Sequence, residues 1–271
     1  MRRYVLLGHK VPLTPDFSLN DIPGTAGRLD VLCRGIGAAF FLSHGIRQDV
    51  ETTLLLQGEV QITIEGDRVK RMNPDERSTA ALIRHALAAL PDDDGVAQST
   101  PGIRIARRSL DETLDRLYQA EATPVLLHEA GVPIDGFSFP ENPAFILSDH
   151  LDFTDDEMRA FEKMPHVSLG STALHASQCI TILNYLLDRQ AEDVNSDLVL
   201  CHTVWGEPQA LLIKGLLEDF DIPVNLLSHV PPSVYPMALD GLSEIRIMVR
   251  PRDLDRAQQV VRDYFEEPID D

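Results

Sequence analysis

Pro143-Ala144-Phe145-Ile146-Leu147-Ser148-Asp149-His150 is an apolar run that stops at three polar residues in succession. Such a run reads as a strand, and in open α/β sheets ligands sit outside the carboxyl ends of the strands. Leu-Ser-Asp-His is therefore a candidate pocket rim. Working back toward the N-terminus, strands are expected over 124–127 and 102–106, with a helix over 110–121 between them. Residues 91–100, Pro-Asp-Asp-Asp-Gly-Val-Ala-Gln-Ser-Thr, form a polar loop. A helix over 74–90 has Asn73 as N-cap and Pro74 at its first position, where a missing N–H costs nothing. Strands over 60–64 and 51–57 precede it. In residues 28–43 the apolar side chains of Leu29, Leu32, Cys33, Ile36, Ala39 and Phe40 fall at helical spacing. Residues 18–24 are turn-rich, and 4–8 are a first strand.

Beyond the opening run, a short strand over 166–169 ends at Gly170, and a helix over 176–190 carries Ile180, Leu183 and Leu187 on one face. Strands alternating with helices indicate a parallel α/β sheet. After the polar stretch 189–196 the pattern restarts: strand 198–204, helix 207–220, strands 222–227 and 244–249, and helix 254–265. This is a β-α-β-β-α unit long enough for its own core. The expected domains are 1–192, α/β, and 197–271, a small α+β domain.

The 271 residues are 44% hydrophobic and 25% charged, which suits a globular chain and excludes disorder over most of its length. With 43 acidic against 24 basic residues the net charge is −19, so a non-specific wrapper of duplex DNA is excluded. Any nucleic acid must meet a local basic patch. Residues 1–195 hold 18 basic and 29 acidic side chains, residues 196–271 hold six and 14, so the tail is the poorer RNA surface. No apolar run is long enough for a signal-peptide core or a membrane span, which gives a cytoplasmic protein as the expectation. Cys33, Cys179 and Cys201 are odd in number and far apart, with no Cys/His ligand spacing. They supply neither a disulfide framework nor a metal site.

No GxGxxG, GxxxxGK[ST], GxSxG or HExxH occurs, so phosphate-loop, nucleophile-elbow and zinc-protease chemistry have no anchor. A different set of segments carries a resemblance: Gly27-Arg28-Leu29-Asp30-Val31-Leu32-Cys33-Arg34, Ala39-Phe40-Phe41-Leu42-Ser43-His44, Asn73-Pro74-Asp75-Glu76-Arg77, Ser99-Thr100-Pro101-Gly102-Ile103, Glu141-Asn142-Pro143, Ser148-Asp149-His150 and His175-Ala176-Ser177-Gln178-Cys179. In this order, over about residues 1–190, they resemble the TrmY family, the pseudouridine N1-methyltransferases of the knotted SPOUT class.

The resemblance implies a SPOUT fold with a C-terminal trefoil knot, one of the rare exceptions to unknotted topology. It also implies a homodimer that uses S-adenosylmethionine (SAM) and acts on RNA, with tRNA position 54 as the target. Carried over, cofactor contacts fall on Leu147, Gly170, Leu174 and Cys179, with Ser148 as a neighbour. N1 of pseudouridine bears a proton that must leave as the methyl arrives, so an acceptor is needed within about 3 Å. Asp30 is the first candidate, with Arg28 or Arg34 beside it to stabilise charge on the uracil carbonyls. Asp30 has a second reading, a helix-start carboxylate favoured by the macrodipole. Arg34, Arg104, Arg107 and Arg108 are the candidate RNA contacts, and a solvated charged face is the alternative.

Cys179 stands in the first turn of a helix, which lowers a thiol pKa, yet methyl transfer to nitrogen needs no covalent enzyme intermediate, and a pocket wall or a small buried hydrophobe are its two readings. Asp149-His150 reads as an acid–base dyad or a loop-capping pair, and His175 as a pocket residue or a cap. Gln178 departs from a usual His, and Asn184-Tyr185 from a usual His-Asn pair, on the helix whose face helps make the dimer in SPOUT enzymes. The tail resembles, over a shorter stretch, a small prokaryotic signal-transducing domain of ferredoxin-like form. The rival functions are a SPOUT methyltransferase with another RNA target and a non-catalytic SAM- or RNA-binding protein.

Overall fold

The computed structural model describes residues 1–196, 198–228 and 244–266; residues 197, 229–243 and 267–271 of the expected tail domain lie outside the described residues. The chain divides into two compact units, Met1–Leu186 and Leu187–Asp271. The first begins with β1 (Arg2–Gly8), α1 (Ile22–Thr25), α2 (Leu29–Phe40), a two-residue hairpin of β2 (Phe41–Leu42) and β3 (Gly45–Ile46), then β4 (Val50–Leu56) and β5 (Val60–Glu65). It continues through α3 (Glu76–Ala88), β6 (Val96–Thr100), β7 (Ile103–Arg107), α4 (Leu110–Gln119), β8 (Thr123–Pro133), β9 (Pro143–Ser148), α5 (Asp155–Phe161) and β10 (His166–Ser168). The long helix α6 (Ala176–Ser196) ends beyond the division between the units.

Eight strands form one sheet in the order β10-β8-β9-β1-β4-β5-β7-β6. The five from β10 to β4 are parallel, as the alternation of strands and helices requires. The remaining three pair antiparallel, so the sheet is mixed rather than wholly parallel. The cause is local. Gln57 and Gly58 both have left-handed φ, 51° and 69°, and the Glu59 amide donates to the Leu56 carbonyl at 3.0 Å. Two central residues of positive φ make the tight turn whose twist suits a hairpin, which sends β5 straight back along β4.

β1 lies at the centre, paired with β4 on one side and β9 on the other, so Tyr4, Val5, Leu6 and Leu7 are all buried. Val5 and Leu7 pack with Leu114, Leu117, Ile146 and Phe161 on one face. On the other face Gly35 lets α2 approach Leu6, where a Cβ would meet the leucine methyl at 2.9 Å. Asn184 of α6 is buried against β1 and α2, accepting from Tyr4 Oη at 2.8 Å and from Arg2 Nη1 at 3.0 Å, and donating to the Ala38 carbonyl at 3.1 Å.

Several elements differ from the sequence reading, among them β8, which runs on to Pro133 instead of ending at 127. Asp75, not Asn73, caps α3: its carboxylate accepts from the Ser78 amide at 2.7 Å, so the helix starts at Glu76 and Pro74 stands outside it. Part of the polar stretch 91–100 becomes β6, an irregular edge strand on β7. Helix α5 carries a capping box in which Thr154 and Glu157 satisfy each other's backbone amides, a Thr-x-x-Glu signature present in the sequence. The polar run 189–196 continues α6 instead of ending it.

The second unit contains β11 (Val199–Trp205), α7 (Glu207–Asp219), β12 (Asn225–Ser228), β13 (Glu244–Val249) and α8 (Leu254–Glu266). Its sheet is antiparallel in the order β11-β13-β12, with its own core around Val204, Ile213, Leu217, Ile245 and Ile247. β12 begins three residues later than the apolar pattern indicates, because Pro223 has no N–H to give the ladder. No helix among the described residues is long and apolar enough to cross a membrane.

Phe161, fully buried, closes α5 onto the sheet and meets Phe153 edge-on with ring centroids 5.5 Å apart. Phe161→Ala is expected to lower stability by roughly 3–5 kcal/mol, the range for emptying an aromatic core position. A urea titration followed by circular dichroism checks it through the midpoint at unchanged slope.

Candidate active site

The parallel strands β1, β8, β9 and β10 bring their carboxyl-terminal segments to one end of the sheet, where a cavity of about 630 Å³ opens. Its size lies in the range of small-molecule sites. Leu147, Ser148 and Asp149 line it after β9, Ser168 and Gly170 after β10, and Leu174, Ala176 and Cys179 at the start of α6. All four residues expected to touch a cofactor, Leu147, Gly170, Leu174 and Cys179, are thus brought together although they span 33 positions of the chain.

Local physics explains the shape. Gly170 holds φ of +114°, a conformation that side chains disfavour, and its amide donates to Ser168 Oγ at 3.2 Å. The chain therefore turns sharply out of β10 and clears the cavity mouth. At the other wall, the Gln178 side chain accepts from the His175 amide at 2.8 Å, and the Cys179 amide donates to the His175 carbonyl at 3.1 Å. His175 is a helix cap that also lines the cavity, and Gln178 serves that cap. A helix start carries amides without intrahelical partners, so this wall supplies donors beside apolar Leu147, Leu169 and Leu174. Apolar walls with a few backbone donors are what an adenine and a sulfonium side chain require, and the residues fit that group. Burial pushes the Cys179 thiol above its ordinary value, overriding any benefit from the helix start, so it is a wall and not a thiolate.

Asp149 and His150 do not form an isolated dyad. Asp149, whose side chain has no exposure, accepts from the Leu151 amide at 2.9 Å and from the His9 amide at 2.9 Å, and its Oδ1 lies 3.0 Å from His9 Nδ1. His150 Nδ1 stands farther off, at 3.6 Å. The loop after β9 is thus tied to residue 9, directly after β1. Ser148 Oγ donates to the Leu151 carbonyl and tightens the same turn. His9, which the sequence reading passed over, does not line the cavity itself but holds the loop that does. The rule that singled out the end of β9 applied equally to the end of β1, where Gly8-His9-Lys10 follows a buried strand.

A second cluster lies at the start of α2. Asp30 is buried and takes a two-pronged contact from Arg28, Nε to Oδ1 at 3.0 Å and Nη2 to Oδ2 at 3.2 Å, plus Arg34 Nη1 at 2.9 Å. Burial alone would raise the Asp30 carboxyl, but the two guanidinium groups outweigh it and hold the acid below its ordinary value. Gly27 and Arg28 both adopt left-handed φ, 55° and 67°, and a Cβ on residue 27 would lie 1.8 Å from the Lys10 carbonyl oxygen. Gly-Arg-Leu-Asp is therefore a backbone arrangement, which packs the start of α2 against the loop after β1. Neither Arg28 nor Asp30 lines the cavity, but the field of Asp149 reaches Arg28.

Arg34 also pairs with Glu76 at 3.1 Å. Arg104 pairs with Glu65, and Arg107 Nε donates to the Pro91 carbonyl at 3.2 Å. With half-buried Arg108 these belong to β7 and its end, four strands from β9. The structure gathers Arg28, Asp30 and Arg34 at one place and Arg104, Arg107 and Arg108 at another. Asn184 turns inward as described, while Tyr185 beside it is exposed.

Residues 1–192 match the family described as "Putative SAM-dependent RNA methyltransferase". A tRNA (pseudouridine(54)-N(1))-methyltransferase of Haloarcula marismortui is 49% identical over 192 residues, covering 69% of this chain and 96% of that protein. The enzyme of the same name from Haloferax volcanii is 50% identical over 192 residues, with the same coverage. Among solved structures, Archaeoglobus fulgidus Nep1 bound to S-adenosylhomocysteine superposes with a TM-score of 0.51 at 15% identity, covering 69% of this chain and 97% of that one. That likeness gives the first unit the SPOUT fold.

Burial raises all three thiols. The folded protein at about pH 7.5 is expected to be alkylated by iodoacetamide much more slowly than the urea-unfolded chain at Cys33, Cys179 and Cys201. Peptide mass spectrometry over a time course reads the three rates, and a fast Cys179 would contradict the wall assignment.

Proposed function

Since the chain belongs to this family of SAM-dependent RNA methyltransferases through residues 1–192, we propose that it methylates N1 of a pseudouridine in tRNA, at position 54. The carrying observation is that half of the residues are identical, over 96% of their length, to enzymes named for that reaction. Bound in the cavity, SAM supplies an electrophilic methyl on a sulfonium. Leu147, Gly170, Leu174 and Cys179 would wall it in, and amides at the start of α6 would donate to it.

Asp30 then serves as the acceptor for the N1 proton. Arg28 and Arg34 keep it ionised, so its carboxylate faces N1–H and takes the proton that nitrogen gives up as it bonds to the methyl. Arg28, whose side chain is the more exposed of the two, is placed to neutralise negative charge gathering on the uracil carbonyls. Arg34, Arg104, Arg107 and Arg108 meet the RNA backbone. In this reading two copies form a dimer in the cytoplasm.

A trefoil knot belongs to the same reading. After β9 the chain passes beyond β8 to place β10 at the sheet edge, and α6 then returns to β1 and α2 through Asn184. A chain that returns under the loops it has just laid down is what a knot needs. The βαββα order and the β11-β13-β12 sheet support a ferredoxin-like form for the small domain.

The test is transfer of labelled methyl from SAM to a pseudouridine-containing tRNA T-arm beside the same arm carrying uridine, with nucleoside mass spectrometry of the product. Label on the pseudouridine arm alone is expected; equal labelling of both arms, or of neither while SAM is bound, would count against the proposal. Asp30→Ala is expected to keep SAM affinity within about twofold and to lose at least 100-fold in transfer rate, the usual scale for a proton acceptor. Unchanged turnover would remove Asp30 from the reaction.

A further inference from the structure

We propose that His9 is a positioning residue for the cofactor cavity: it clamps the loop between β9 and α5 by donating at once to Asp149 and Glu157. The proposal rests on the reading of that cavity as the SAM site. Nδ1 lies 3.0 Å from Asp149 Oδ1 and Nε2 lies 3.1 Å from Glu157 Oε2, with the ring 13% exposed. A neutral imidazole has one donor nitrogen and one acceptor nitrogen. Two carboxylate oxygens, one on each side, can both be satisfied only by the doubly protonated ring. The same Glu157 oxygen accepts from the Thr154 amide at 2.7 Å, so the clamp reaches into the capping box that starts α5.

The arrangement closes on itself. The His9 amide and ring hold both oxygens of Asp149, Asp149 holds the Leu151 amide, and Glu157 holds both the ring and Thr154. The segment between, Asp149, His150, Leu151, Asp152 and Phe153, lines the cavity. Among the described residues, the side chains that meet the Asp149 carboxylate are His9 and, farther off at 3.6 Å, His150. Without the His9 cation a fully buried carboxylate would face only backbone amides and a distant ring, a costly state that the loop relieves by moving.

The charged groups facing His9 are Asp149 from the loop and Glu157 from α5; beyond them His150 stands 3.6 Å from Asp149, and the field of Asp149 reaches Arg28. The hydrogen bond to Asp149 raises the His9 pKa against burial, which lowers it, and with the Glu157 bond carries it to about 9. The sign follows: the clamp is complete below the ordinary histidine value and is lost as pH rises through about 9.

The experiment uses the full chain and two readouts. Amide hydrogen exchange by mass spectrometry follows the segment containing Leu151 without cofactor, and calorimetric titration measures SAM affinity from about pH 7 to 10. In the wild type, SAM affinity is expected to fall about tenfold as pH passes 9; His9→Gln, which keeps one donor but cannot be a cation, is expected to bind about tenfold more weakly at pH 7 and to lack that step. Its Leu151 segment exchanges faster, while Phe161 and the β1 core keep wild-type protection. Wild-type affinity in His9→Gln, a pH step that survives the substitution, or unchanged Leu151 exchange would each overturn the role. A wild type with a His9-dependent loop that nevertheless binds no SAM would overturn the cofactor reading of the cavity and leave the clamp standing.

Discussion

One amide, Asn184, fixes the geometry on which the active end of the molecule depends. It is buried, and all of its bonds run to elements far away in sequence: to Arg2 and Tyr4 on β1 and to the Ala38 carbonyl of α2. A buried polar group with every partner satisfied selects one arrangement, because any slippage of α6 leaves several donors and acceptors stranded. With α6 fixed along β1, its first turn has one place to be, at the mouth of the cavity beside Gly170 and Leu147. Asn184 thus lies at an internal joint, on the side of the helix away from solvent.

The polar chemistry of the first unit follows a common rule. Asp30 and Asp149 are carboxylates with almost no exposure, and each is matched by cations brought from a neighbouring turn or strand. Both sit below the ordinary carboxylate value although burial pushes the other way. Each pair therefore stays ionised in the neutral range, and each fixes a loop: Asp30 the entry to α2, Asp149 the exit from β9. Precise loops beside a cavity are what methyl transfer demands, since donor carbon and acceptor nitrogen must line up.

Much of this was legible in the amino-acid order. The apolar run at 143–147 and its polar end, the helical spacing of Leu29 to Phe40, and the late βαββα pattern each correspond to an observed element. The cavity residues were placed by resemblance, since no spacing rule links Leu147 to Gly170 and Cys179. What was missed has physical causes. Direction in the sheet was set by Gln57 and Gly58, two residues whose backbone conformation no hydrophobic pattern reports. β6 is an edge strand, half solvated, so its polar composition resembled a loop. His9 was overlooked because its partners, Asp149 and Glu157, stand 140 and 148 residues away, so its place at the end of β1 was the one local sign of it.

The position of β1 also bears on how the chain comes off the ribosome. β1 is made about 135 residues before one of its two neighbours, β9, which begins at Pro143. At roughly 5–20 residues per second, the edge of β1 waits on the order of ten seconds for that partner. During that interval β4, β5, β7 and β6 can pair among themselves with β1 at their rim, leaving Tyr4 to Leu7 as an apolar strand edge. A central strand made long before one of its partners thus leaves an apolar edge uncovered in the growing chain, and the slower the translation, the longer that edge stays open.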